Sequence, residues 1–298
     1  MVITDDPVLI ATIAGLMLAT GLVAGLMAGL LGVGGGIIMV PAMFYSFTLL
    51  DVEASLRMHL AVGSSLAIIV VTSMRSVRAH YKRGAVDAEI LKSWGLPVIV
   101  GALLGVALAG IIGGKALTGL FALLAALVAG NLMFGEDTWR LGDQLPRGVR
   151  RWGLAGGTGL FSAMLGIGGG TFGVTIMTLY GRPIHQAVGT SAGLGLLIGL
   201  PGMAGFVVSG WGVSSLPPLS MGYVNLAAFA LITPATILAA PWGARMAHAV
   251  SRVILTHIFA GFLTVMSVFM FLELAEEVRK TETSVLGGAE QMSVSSLP

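Results

Sequence analysis

Residues 29–41 read GLLGVGGGIIMVP, and residues 164–176 read MLGIGGGTFGVTI. Aligned on their glycine triplets, the two copies lie 134 positions apart. Both interrupt long apolar runs. Glycine costs about 1 kcal/mol relative to alanine in a helix interior, so three in a row disfavour an unbroken helix. They also cover every face of a helix, so a packing stripe does not require them. They suit a turn in which the backbone takes positive φ. The same break made twice predicts two broken helices in matching places.

The chain around these breaks is 298 residues long, 56% hydrophobic and only 10% charged, with a mean hydropathy of +0.94. A soluble domain carries about 25% charged residues. Apolar runs cover 8–31, 60–77, 96–112, 117–134, 187–208, 223–242 and 253–272. Each is about the length that crosses a bilayer core of about 30 Å. The fold class is therefore an all-α polytopic membrane protein. The N-terminus shows no basic region or clear cleavage site, so its first run is read as part of the fold. The chain has no cysteine, which excludes disulfides, thiolate metal sites and cysteine nucleophiles.

Two halves follow from the order of signals. Each has a glycine break, then a helix beginning HLAVGSSLA (59–67) or HQAVGTSAG (185–193), then two more apolar runs. Shared order at a long period signals an internal repeat. The divisions are 1–134, a first transmembrane repeat; 135–150, a cytoplasmic linker; 151–272, a second repeat; and 273–298, a polar tail read as disordered from about Thr281. The pieces after the breaks are too short to span comfortably at 1.5 Å per residue. They read as arms of re-entrant or short helical hairpins, each joined by three long transmembrane helices. Each half then crosses an odd number of times, and the repeats are inverted.

Charge placement agrees with this topology. Arg75, Arg78, Lys82 and Arg83 collect in one loop, Arg140, Arg147, Arg150 and Arg151 in the centre, and Arg182, Arg245 and Arg252 further on. Inverted repeats put all of them on the cytoplasmic side, where Lys and Arg accumulate. Asp5, Asp6, the DVEASLR loop and the uncharged SGWGVSSLPPLSMG loop then lie outside.

The candidate site grows from the duplicated motifs. A helix that starts after a glycine turn points free N–H groups back at it, and that end attracts anions. Irregular backbone at membrane depth occurs where it lines a cavity or is buried in protein. Two such ends from inverted repeats can form one site near the midplane. Its residues are Gly34, Gly35, Gly36, Gly168, Gly169, Gly170 and Thr171, with the hydroxyls of Ser64, Ser65, Thr190 and Ser191. Taken singly, such hydroxyls more often bond their own or a neighbouring helix; their duplication points to the shared site. His257 is a candidate for accepting a proton, with helix packing the simpler role. His59 and His185 are interfacial in the simpler reading and, protonated, would favour anion entry. Arg75 snorkels to the inner surface in the simpler reading and is otherwise a candidate for steering an anion. Packing is the simpler role for Gly21, Gly25 and Gly29 and for Gly101 and Gly105, all at four-residue spacing. Asn131 and Asn225 read as interhelical hydrogen-bonding groups. No Asp or Glu falls near the middle of an apolar run, where a cation path or carboxylate relay would need one.

GLLGVGGGIIMVP, GLFSAMLGIGGGTFG, AVGSS, AVGTSA and YKRGAVD together resemble the sulfite exporter TauE/SafE family of membrane transporters, over about residues 8–272. The resemblance implies movement of small sulfur-containing anions, such as sulfite, sulfoacetate or other organosulfonates, across the bacterial inner membrane. The second copy departs from the first: Val174 and Thr175 stand where a proline falls in half one. The expectation is a secondary transporter, and an exporter, since an inside-negative potential favours anion exit by about 2.3 kcal/mol per charge per 100 mV. The alternatives are a channel and a proton-coupled importer. An intramembrane enzyme finds no HExxH and no nucleophile beside a base. No cofactor and no nucleic acid partner is expected. The partners are the anion and the lipid bilayer, with pairing of two copies as a homodimer left open.

Overall fold

The computed structural model describes residues 7–31, 35–134, 141–142 and 144–246, and towards the C-terminus 254, 257–258, 260–276 and 279. The helices are α1 (Pro7–Leu31), α2 (Gly36–Leu49), α3 (Ala54–Lys82), α4 (Ala88–Phe134), α5 (Gly148–Leu165), α6 (Gly170–Leu179), α7 (Ile184–Ser209), α8 (Leu226–Met246) and α9 (260–276). A small antiparallel hairpin, β1 (Ser220–Met221) with β2 (Val224–Asn225), precedes α8. That hairpin takes the start of the apolar run expected to be helical from Tyr223. Among the described residues, α1, α3, α4, α7 and α8 are long and apolar enough to cross a membrane.

The expected breaks are present. α2 has 14 residues and α6 has 10, about 21 and 15 Å at 1.5 Å per residue. α4 comprises two helices, because Gly113 takes φ 75 and ψ 165, a conformation only glycine adopts without cost. The adjoining Gly114 has a different reason to be small: a Cβ there would strike the Ser55 carbonyl of α3. α9 runs through residue 276, past the expected boundary at 272. The stretch from Thr281, expected to be disordered, lies outside the described residues, as do 135–140 of the linker.

Glycines let the backbones meet. α4 lies along α5, where a Cβ on Gly101 or Gly105 would run into the carbonyls of Gly156 or Leu160. α1 lies along α8, where Gly21 abuts Ile232 and Ala235 and Gly25 abuts Thr236 and Ala239. The packing role expected of these glycines is the one they have. α3 lies along α7 in the opposite sense: Gly63 meets Phe206, Val70 meets Gly199, and Ser73 meets Gly195. Numbers rise along one helix as they fall along the other, so α3 and α7 are antiparallel. The outer surface keeps large apolar side chains such as Leu103, Leu104, Ile111 and Leu127 exposed, as a lipid-facing surface requires.

Candidate functional site

The two glycine breaks touch. A Cβ on Gly36 would sit 2.5 Å from the Gly166 carbonyl oxygen and 2.7 Å from Ile167 Cα, so only hydrogen fits there. α5 stops at Gly166, which takes φ 65 in the left-handed region. Its N–H bonds the Ala163 carbonyl at 3.4 Å, and that of Ile167 bonds the Ser162 carbonyl at 3.2 Å, the paired closure of a Schellman cap. Gly168 is also at positive φ. Gly35 (φ −72) and Gly169 (φ −77) are not; each is the uncapped residue before α2 or α6. Positive φ therefore explains part of the second motif and none of the described glycines of the first. Close approach explains the rest: a Cβ on Gly169 would lie 2.6 Å from the Gly195 nitrogen of α7. Gly170 opens α6 and is buried. Gly34 lies outside the described residues.

Ser64, Ser65, Thr190 and Ser191 are all fully buried at 0% exposure. Three have protein partners. Ser65 Oγ donates to the Gly166 carbonyl at 2.7 Å, tying α3 to the second break. Ser64 Oγ accepts the Asn225 N–H at 2.8 Å, and Thr190 Oγ1 accepts the Asp87 N–H at 2.9 Å. Ser191 Oγ has no partner; nor have Thr171 Oγ1 and Ser162 Oγ. Ser191 Oγ faces the first turn of α6, lying 2.7 Å from where a Cβ on Gly173 would be. A buried, unmatched hydroxyl costs about 1–3 kcal/mol unless something joins it. Two of them, Thr171 and Ser191, lie at the uncapped start of α6.

Asp87 and Asn225 were not legible as a pair from the long motifs. Asp87 Oδ1 accepts the N–H groups of Glu89 and Ile90 at 3.0 and 3.1 Å, capping α4. Asn225 Oδ1 accepts that of Ala228 at 2.9 Å, capping α8. Asn225 is thus a cap, not a mid-helix group. Asn131 is exposed. The signal was a third duplication, GAVD (84–87) and GYVN (222–225), each opening with a glycine at positive φ. Ahead of each cap, the glycine of AVG[ST]S admits a carbonyl: Gly63 admits that of Tyr223, and Gly189 that of Ala85.

The charged candidates are elsewhere. Arg75, His185 and His257 are exposed. His59 is buried at 5% exposure, with its ring against Tyr223. Burial, and then Glu53, hold the Tyr223 hydroxyl above its ordinary pKa. Among the described residues, no group of three or more His, Asp or Glu side chains is placed to hold a metal ion.

The family description Sulfite exporter TauE/SafE matches residues 17–270. A probable membrane transporter protein of Haemophilus influenzae is 35% identical over 264 residues, covering 87% of this chain and 98% of the relative. Probable membrane transporter proteins of Methanocaldococcus jannaschii (23% identical; 86% and 95% covered) and Bacillus subtilis (24%; 65% and 78%) are also similar. No solved structure matches the chain. With the match spanning both breaks and the helices around them, this chain belongs to the sulfite exporter TauE/SafE family of membrane transporters.

Proposed function

We propose that the protein is a secondary transporter of a small sulfur-containing oxyanion, sulfite or an organosulfonate, in the bacterial inner membrane. The anion binds where the two breaks meet, on the uncapped N–H groups opening α2 and α6 and on the hydroxyls of Thr171 and Ser191. The observation that carries this is the contact of Gly36 with Gly166 and Ile167, beside hydroxyls that are buried and unmatched. An oxyanion accepts hydrogen bonds from all these groups at once, and a helix start favours its charge.

Inverted repeats supply the mechanism. The contacts between halves come in equivalent pairs. Gly159 at the Val98 carbonyl has its counterpart in Gly25 at that of Thr236, and Gly105 at Leu160 in Gly243 at Leu26. α3 and α7 are equivalent by motif and antiparallel by contact, which a pair of inverted halves produces and a pair of parallel halves does not. Two halves exchanging roles about such an axis open the site to each side alternately. The cytoplasmic Lys and Arg bias places the α3 N-terminus outside, and the membrane potential then drives anion export.

Purified protein in proteoliposomes tests this. Sulfite, thiosulfate, sulfoacetate, taurine and sulfate are each loaded, under potentials of both signs, with and without a pH gradient. Saturable flux of one sulfur anion, faster with the loaded face negative, is the expected result. No flux of any of them removes the substrate assignment. Flux that neither saturates nor exchanges replaces the transporter with a channel.

A further inference from the structure

The likeness of the halves fails again near the α3 N-terminus. There, His59, Phe206 and Tyr223 form a three-ring cluster. Centroids are 5.0 Å apart for His59 and Tyr223, tilted by 30°, and 6.5 Å apart for His59–Phe206 and for Phe206–Tyr223. The equivalent positions at the other mouth are His185, His80 and Ala85. His185 is exposed there, and Ala85 has no ring to cover it. The α3 N-terminus thus carries a three-ring cluster, whereas at the other end alanine stands in the place of the tyrosine.

His59 makes two contacts that decide its chemistry. Nδ1 lies 3.2 Å from the Ser55 carbonyl oxygen, and Nε2 lies 3.0 Å from that of Ala109. A neutral imidazole has one N–H and donates to only one carbonyl; an imidazolium donates to both. Ala109 belongs to the last turn before the break at Gly113, where carbonyls lose their helical donors. The ring also lies on Tyr223, an arrangement that attracts a cation.

We propose that His59 is a proton-binding site built into this mouth. Protonated, it ties α3 to the broken end of α4 beneath Tyr223 and holds the mouth shut. Loss of the proton removes one tie, and Tyr223 can then move away. Glu53 accepts from the Ser55 hydroxyl and bears on Tyr223. Arg57, on the same helix, is paired with Glu273 of α9 at 3.0 Å. Lys115 follows Gly114, which abuts Ser55. α7 brings Phe206, and its sequence from 200 to 209 carries no charge. The proposal rests on the transport reading only in setting this mouth on the substrate path.

The absence of native cysteine makes the test direct. Ser64→Cys places a thiol five residues, about 7.5 Å, deeper along α3. It is labelled in proteoliposomes with a membrane-impermeant methanethiosulfonate at about pH 5.5 and about pH 8, the range over which histidine titrates. Each rate is divided by that of the same thiol in denatured protein at the same pH, which cancels the change in thiolate fraction. With His59 present, the corrected rate is expected to rise by about tenfold between the two pH values, one decade being a modest part of a full histidine titration. His59→Gln flattens the rise, and Tyr223→Ala raises labelling at both pH values. His59→Asn takes the place of His59→Gln if the latter is not monodisperse, and Ala67→Cys repeats the measurement at a second buried position. A rise that survives in the glutamine variant overturns the proposal, as does the absence of any rise with His59 present or unchanged labelling in Tyr223→Ala. Labelling needs no substrate, so a negative result here and a failure of sulfur-anion flux are separate outcomes.

Discussion

Helix α5 carries its own control for how closely the halves pack. Gly157 and Gly159 lie two residues apart on it. A Cβ on Gly157 meets nothing within 4 Å, whereas one on Gly159 would collide with the Val98 carbonyl and come within 3.0 Å of the Ala102 nitrogen. The obstacle is backbone and cannot rotate aside, so α4 and α5 must separate. Overpacking of this kind costs about 1–3 kcal/mol, and a rigid backbone obstacle belongs at the upper end. Replacing a helical glycine by alanine returns up to about 1 kcal/mol. Gly159→Ala is therefore expected to lose about 2 kcal/mol and Gly157→Ala to gain up to about 1.

For a chain of this size, 1 kcal/mol moves Tm by about 2–4 °C. Thermal unfolding of detergent-purified protein, followed by the loss of monodisperse material, should place Gly159→Ala about 4–8 °C below wild type and Gly157→Ala at or above it. The inverted-repeat reading adds a second pair. Gly25, the counterpart of Gly159, abuts Thr236, while a Cβ on Gly15 meets nothing within 4 Å. Gly25→Ala should fall by a similar amount and Gly15→Ala should not. Equal melting of Gly157→Ala and Gly159→Ala would refute the close α4–α5 contact. A drop for Gly159→Ala with none for Gly25→Ala would refute the equivalence of the halves.

Three further outcomes follow from the site. Ser65→Ala leaves the buried Gly166 carbonyl unpaired and should cost about 1–3 kcal/mol, read as a lower Tm, whereas Ser191→Ala removes an unpartnered hydroxyl and should reduce flux with little change in Tm. Gly36→Ala must push apart the two breaks, while a Cβ on Gly35 meets chiefly the flexible end of Met39; flux assays should find the first inactive and the second working. Arg57→Gln breaks a partly buried ion pair to Glu273. It should lower Tm by the equivalent of about 1 kcal/mol or less, because a pair still reached by water is screened, and raised salt should narrow the gap from wild type.

Most of the helices were readable because bilayer thickness demands long apolar runs, and their ends fell near glycines and charges. The break at Gly113 was readable for the same reason, since two spans cannot share 47 residues without a turn. The hairpin before α8 was not. Tyr223, Val224 and Asn225 continue an apolar run into α8, and only the pairing of Ser220 with Asn225 and Met221 with Val224 turns that stretch into strands. The site was half legible. The triplets announced a break, but not that Gly36 and Gly169 serve close approach while Gly166 and Gly168 serve φ. Those demands come from the opposing backbone, which the local sequence does not contain.

The hydroxyls show most clearly how duplication in sequence separates from equivalence in function. Ser64 and Thr190 do the same work, each receiving the N–H of a residue that caps a helix of the opposite half, Asn225 at α8 and Asp87 at α4. Ser65 and Ser191 occupy matching positions and do not: one is spent on a carbonyl, the other is unmatched. On the inverted-repeat reading, a symmetric scaffold holds an asymmetric centre. The same division recurs at the mouths, where Tyr223 covers His59 on one side and Ala85 leaves His185 open on the other. Alternating access needs halves alike enough to exchange conformations. Net movement in one direction at a given potential comes from the imposed gradient, but which state is populated at rest comes from differences between the halves. On the proposed alternating-access mechanism, those differences are carried by few side chains, Ser65 against Ser191 and Tyr223 against Ala85. Making them alike, as Tyr223→Ala does at the mouth, should shift the resting state towards outward opening without touching the helices that build the path.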